Sequence, residues 1–206
     1  ATWAYGELGE GAGTPADRRQ FDQRLVEMAL AAGDTARALE AQRRVVASFT
    51  PGSVDRRRAT ALQIALQSPG SSPGTILASL AGFRSEFPEA PEVDGLAAGA
   101  ALALASRGDR EGATAVLEGL EGPLTSLEWG YLLLSEGATE EGRKALLLAL
   151  SGVEPRVATG VIQLVGLLDR LSPEARQAAA RGTAMAHHGL GGEAVGVLVR
   201  SVDSLP

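Results

Sequence analysis

The sequence predicts an all-α protein, organised as an array of antiparallel helices joined by short connections. Three observations lead there. Apolar residues recur at helical spacing, as in Phe21, Leu25, Met28, Ala29 and Ala32. One turn is spelled four times, in Gly33–Ala38, Gly108–Ala113, Gly137–Gly142 and Gly189–Ala194. No period-2 stretch is long enough for a strand. In each turn a Gly can end a helix in the left-handed conformation. The small residue five positions later lets the next helix lie close against the first.

In order, residues 1–14 are Gly-rich and poorly patterned, and read as an N-terminal extension with room for one short helix. Pro15 opens the first helix at its first turn, and Gly33 ends it. The second runs from about Thr35 to Phe49, with Pro51 behind it. The third covers Val54–Gln67, with Ala61, Leu62, Ala65 and Leu66 apolar. Ser68–Gly74 carries two Pro-Gly pairs and is the clearest loop. The fourth helix spans Thr75–Phe87, stopped by Pro88 and Pro91. The fifth, Glu92–Arg107, is apolar from Leu96 to Ala105 and is expected to be buried on all sides.

The sixth helix, Arg110–Leu120, ends at Gly122-Pro123, and the seventh, Ser126–Glu136, holds Trp129, Tyr131 and a Leu run. The eighth is Thr139–Leu150 and the ninth Pro155–Leu171. Ser172-Pro173-Glu174 supplies an N-cap, a first-turn Pro and an acid for the tenth. Gly189 ends the tenth, and an eleventh closes near Asp203. Residues 15–206 read as one helical repeat domain.

The net charge of −6 argues against a general nucleic-acid binder. Residues 1–60 carry a net +1 and the remainder −7, so the acidic balance belongs to the later helices. Without Cys there are no disulfides, thiol chemistry or Cys-ligated zinc. Asn is absent and Lys144 is the only Lys, which points to a high-GC bacterial genome more simply than to heat adaptation. The longest uncharged apolar runs, Gly95–Ser106 and Val157–Leu168, fall short of the roughly 20 residues that span a membrane. No signal-peptide pattern is present, and a chain starting at Ala1 reads as a processed mature protein or a fragment. Trp3 and Tyr5 either cap the first helix pair or mark a membrane interface after an omitted anchor. A bacterial cell envelope or periplasm is favoured over the cytoplasm.

Aligning the turns on their Gly shows further agreement. Seven residues before it stand Val26, Ala101, Gly130 and Gly182; five after it stand Ala38, Ala113, Gly142 and Ala194. A Pro follows at Pro51, Pro123, Pro155 and Pro206. The pattern resembles the tetratricopeptide repeat, in which small residues of paired helices meet and a Pro ends the unit. The turn glycines are 75, 29 and 52 residues apart, so the repeat is irregular. The resemblance implies a right-handed α-solenoid whose first helices line a concave face, at positions 13, 10, 6 and 3 before each Gly. Those positions are Leu124, Leu127, Tyr131 and Leu134; Gly95, Ala98, Leu102 and Ala105; and Arg176, Ala179, Thr183 and Ala186. Gln20, Gln23 and Glu27 make the first end polar. Candidate partner-binding residues are therefore Leu127, Tyr131, Leu134, Leu102 and Thr183. In the alternative reading these side chains pack on one another as core. Ala113 and Ala194 are expected to be buried helix contacts.

The resemblance implies a non-catalytic scaffold that docks a partner protein or peptide. The alternative is an architectural subunit built permanently into a larger, membrane-anchored bacterial assembly. No cofactor is expected, and membrane contact only indirectly or through an omitted anchor. An enzyme is the third reading, and the sequence offers little for it. His187 and His188 are the only histidines, and adjacent helical positions lie about 100° apart, so no metal site is expected there. Arg56-Arg57-Arg58, with Arg43 and Arg44, form either a solvated face or an anionic contact. Glu140-Glu141 and Asp109-Arg110-Glu111 suit the positive ends of helices. Gly191-Gly192 lacks the strand and the Lys-Ser/Thr of a phosphate loop.

Overall fold

The computed structural model describes residues 13–202. Among them the regular elements are eleven α-helices and one 3-10 turn, with no strand. Helix α1 spans Pro15–Ala31, α2 Thr35–Ala47, α3 Val54–Gln67, α4 Pro73–Glu86 and α5 Glu92–Ala105. Then come α6 Arg110–Leu117, α7 Pro123–Glu136, α8 Thr139–Ala149, α9 Pro155–Leu168, α10 Pro173–His187 and α11 Gly191–Val202. The extension expected over 1–14, with Trp3 and Tyr5, lies outside the described residues apart from Gly13 and Thr14.

Local chemistry accounts for the helix starts. Thr14, Asp34, Ser53, Ser72, Asp109 and Ser172 each accept, through a side-chain oxygen, a hydrogen bond from the backbone N–H three residues on. Helices α4 and α7 begin two and three residues earlier than expected, because Pro73 and Pro123 themselves occupy the first turn. Helices α2, α5, α6 and α9 end two to three residues sooner. There Phe49, Arg107, Leu120 and Leu171 donate to the carbonyl three residues back, which tightens the chain out of the α-helix.

The four aligned turns share one geometry. Gly33, Gly108, Gly137 and Gly189 all have φ between 73° and 90°. The residue after each Gly donates to the carbonyl five back: Asp34 to Ala29, Asp109 to Leu104, Ala138 to Leu133 and Leu190 to Met185. Each Gly N–H bonds three back, to Leu30, Ala105, Leu134 and Ala186. This double bond pattern is the Schellman motif, and it satisfies helix-end carbonyls that would otherwise lack partners. The small positions five residues on, Ala38, Ala113, Gly142 and Ala194, are all buried.

The chain divides within α5 into two compact units, Ala1–Leu96 and Ala97–Pro206, where the sequence reading places one domain over 15–206. Helix α5 is mostly buried, but Gly99 is exposed and Leu102 and Ala103 are half-buried, so it is not covered on every side. In the first unit α1 packs on α2, α2 on α3, and α3 on α4. The buried Gln42 amide donates to the Ala59 carbonyl at 2.7 Å and ties α2 to α3.

In the second unit α7 packs on α8 and α10 on α11, and α10 also packs on α7, with α9 falling between the two pairs in sequence. The core here is Leu127, Leu134, Leu146, Val161, Leu164, Val165 and Leu168 with Ala149, Ala180 and Ala184. No helix among the described residues is long and apolar enough to cross a membrane.

Candidate functional site

Leu127 and Leu134 belong to this core, and Leu134 is 0% exposed. Their assignment as groove lining is thereby corrected: α10 packs on α7, and core residues offer a partner no surface. Tyr131 is half-buried against the same core. Leu102 and Thr183 are half-buried as well.

Concave surface among the described residues includes two further grooves. A groove of about 440 Å³ in the first unit is formed by α1, α2 and α3. Gln23 and Glu27, two of the expected lining positions, are on its wall with Asp55 and Arg58, and Val26, Val45, Phe49 and Leu62 supply apolar surface. In the second unit, a groove of about 520 Å³ runs between the start of α7 and the end of α8. It is lined by Leu120, Pro123, Ser126, Trp129, Ala145 and Leu148, with Glu121 and Ser151 at its edge. Leu148 there is 69% exposed, a large apolar side chain left in water.

The third feature joins α7 to the end of α10. Glu128 is the only charged residue in the stretch Pro123–Ser135, and it is 6% exposed. Its Oε1 lies 2.8 Å from His187 Nε2. The His187 ring stacks on Tyr131, with centroids 3.8 Å apart and planes at 13°. Burial, and then the nearby Glu128 carboxylate, raise the Tyr131 pKa, so the phenol stays neutral. His188 is 3% exposed and follows edge-on at 5.4 Å from His187.

Adjacent helical positions lie about 100° apart, yet one donor atom from each of Glu128, His187 and His188 falls within 4.8 Å of the others. His188 is the cap residue; its ψ of 11° turns only the chain that follows, and its φ of −79° is near-helical, so the two donor atoms approach through side-chain conformation. Glu128 itself escaped the sequence reading. Its signal was a lone carboxylate inside an otherwise uncharged, apolar helix.

Two atoms of this cluster, Glu128 Oε2 and His188 Nε2, are buried with no hydrogen-bond partner among the described residues. A buried polar atom left so costs about 1–3 kcal/mol. Burial, then the neighbouring His187 and Arg110 charges, push the His188 pKa down to about 4. That lies below the 6.5 of an unfolded chain, so the unfolded state takes up the proton first. The stability tied to neutral His188 is thus complete above pH 6.5 and lost as pH falls towards about 4. Urea midpoints at pH 7 and pH 5 should fall further for the native chain than for His188→Gln. Equal falls would show that His188 does not titrate this way.

The arginines are largely engaged. Arg56 pairs with Glu86 at 2.7 Å, Arg57 with Glu92 at 3.1 Å and Arg44 with Asp22 at 2.8 Å. Glu140 meets Arg143 at 2.7 Å and Arg176 at 3.4 Å. No protein-family model, curated protein or solved structure matches the chain.

Proposed function

We propose that the chain is a non-catalytic scaffold of the tetratricopeptide-repeat-like kind, an irregular right-handed α-solenoid of antiparallel hairpins that docks a partner protein. The observation that carries the reading is the groove among α1, α2 and α3. Resemblance places Gln23 and Glu27 on the concave side, and both stand on the wall of that groove. Its mixture of Glu27, Asp55 and Arg58 around Val45, Phe49 and Leu62 suits an amphipathic helix carrying a basic residue beside its apolar stripe. The four identical Schellman turns and the packing of α7 on α10, the first helices of their pairs, support a hairpin array. An extra helix, α9, between those pairs gives a physical reason for the irregular spacing.

The test uses the partner that co-purifies with the full chain. Leu62→Glu places a charge on a side chain already 41% exposed, so the fold should survive and the partner should be lost. Leu148→Glu, in the second unit's groove, serves as the comparison. Partner retained by Leu62→Glu but lost by Leu148→Glu would move docking to the groove beside Trp129 and overturn the assignment. The second reading, a permanently incorporated subunit, is favoured by Val195 and Val199, which stand exposed one turn apart on α11. Aggregation of the isolated chain in size-exclusion chromatography would support that reading over a free docking module.

A further inference from the structure

We propose that Glu128, His187 and His188 form a binding site for a divalent first-row transition metal, with zinc the natural occupant, and that the ion pins the end of α10 to α7. The donors converge from two packed helices, with all three ligand atoms within 4.8 Å of one another. Two imidazoles and one carboxylate, with no thiolate, form a borderline donor set that suits zinc and its neighbours better than calcium or magnesium.

The dimensions agree with such an ion. Bonds of about 2.0–2.2 Å in a tetrahedral shell separate neighbouring donors by roughly 3.3 Å. The 2.8 Å contact between His187 Nε2 and Glu128 Oε1 has to open by about half an ångström, and the widest pair to close, to meet that spacing.

The second, independent observation is the pair of buried atoms without partners. Glu128 Oε2 and His188 Nε2 sit on side chains more than nine-tenths buried, both in this cluster. A desolvated carboxylate beside a desolvated imidazole is poorly satisfied by protein alone, and a bound cation satisfies it. The carbonyl end of α10 adds a negative partial charge where both histidines stand. Arg110 is the opposing charge nearby, but it is exposed and its field is screened by water. The Tyr131 ring stacked on His187 limits that imidazole's rotation and so holds it in place as a ligand. Three protein donors leave a fourth position for water on the more open His187 side, whose side chain is 25% exposed.

The experiment takes the untagged full chain, stripped with chelator, and titrates it with Zn²⁺ alone by calorimetry, with Mg²⁺ and Ca²⁺ as comparisons. One Zn²⁺ per chain is expected, with a raised melting temperature and no response to Mg²⁺ or Ca²⁺. Glu128→Gln, His187→Gln and His188→Gln should each lower the affinity by at least about 100-fold, the upper end of the loss when a mere outer-shell partner is removed. X-ray absorption of the native chain with Zn²⁺ covers the case in which a variant fails to fold. Its spectrum should show two imidazoles and light-atom donors only. Absent or many-site binding, binding unchanged in all three variants, or a spectrum without two imidazoles would each overturn the site.

Discussion

Leu134→Glu unfolds the second unit. Leu134 is 0% exposed and packed among Leu127, Leu146, Val161 and Ala180. Truncation of such a side chain to Ala already costs about 2–5 kcal/mol. Glu adds the burial of a carboxylate, and no basic side chain lies in this core to pair with it. The total exceeds about 4–5 kcal/mol, a large part of the 5–15 kcal/mol that typically holds a domain together. Leu134→Met, which keeps volume and polarity, should cost less than about 1.5 kcal/mol. Circular dichroism and urea denaturation distinguish the two. A Leu134→Glu chain that melts like the native one would mean that α8 and α10 do not cover this face of α7, and would restore Leu134 to a groove.

The second large effect is at the crossing of α7 and α8. A Cβ at Gly142 would stand 2.9 Å from the Gly130 carbonyl oxygen and 2.8 Å from Leu134 Cδ2. A Cβ at Gly130 would stand 2.7 Å from Leu146 Cγ and 3.1 Å from the Gly142 carbonyl oxygen. The two backbones therefore meet directly, and backbone cannot rotate out of the way as a side-chain tip can. Ala in place of Gly gains about 1 kcal/mol of helix propensity. At this crossing the clash outweighs that gain, and Gly142→Val should destabilise by about 3 kcal/mol, at the upper end for an overpacked core. Gly160→Ala in α9 is the contrast, because nothing lies within 4 Å of its added Cβ. There only the propensity acts, and a gain of about 0.5–1 kcal/mol is expected. Opposite signs in thermal melts are the expected result. The same sign at both positions would contradict the close crossing.

Much of the local structure was legible in the sequence because its causes are local. An N-cap hydroxyl, a first-turn Pro or a left-handed Gly acts within about six residues, and all of them are spelled in order along the chain. The alignment of Gly33, Gly108, Gly137 and Gly189 carried from letters to four turns with the same hydrogen bonds. Where the expected ends ran long, the cause was again local, a last turn drawn into 3-10 bonds that apolar spacing does not register. The turn pattern also located Ala113, Gly142 and Ala194 in buried positions, since a small residue close to a tight turn has to face the paired helix.

Tertiary packing decided which helix faces remain open. Leu124, Leu127, Tyr131 and Leu134 share one stripe of α7, and the stripe is equally consistent with a groove or a core. Helix α10, some fifty residues later, packs on α7, and its Ala180 and Ala184 join Leu146 and Ala149 of α8 in one buried cluster with Leu127 and Leu134. The same contact brings His187 to Glu128 across 59 residues of sequence. Helical periodicity describes the faces of one helix and holds no information about a second. Long side chains on adjacent helical positions can bring their tips together although their Cβ atoms diverge, which a wheel of Cβ directions does not register. Sequence by itself thus determined that the chain is helical, and where most helices start and stop, because those features depend on neighbouring residues. The packing of α7 with α8 and α10 determined the second unit's core and the Glu128–His187–His188 cluster, because burial and convergence of side chains are properties of surfaces in contact.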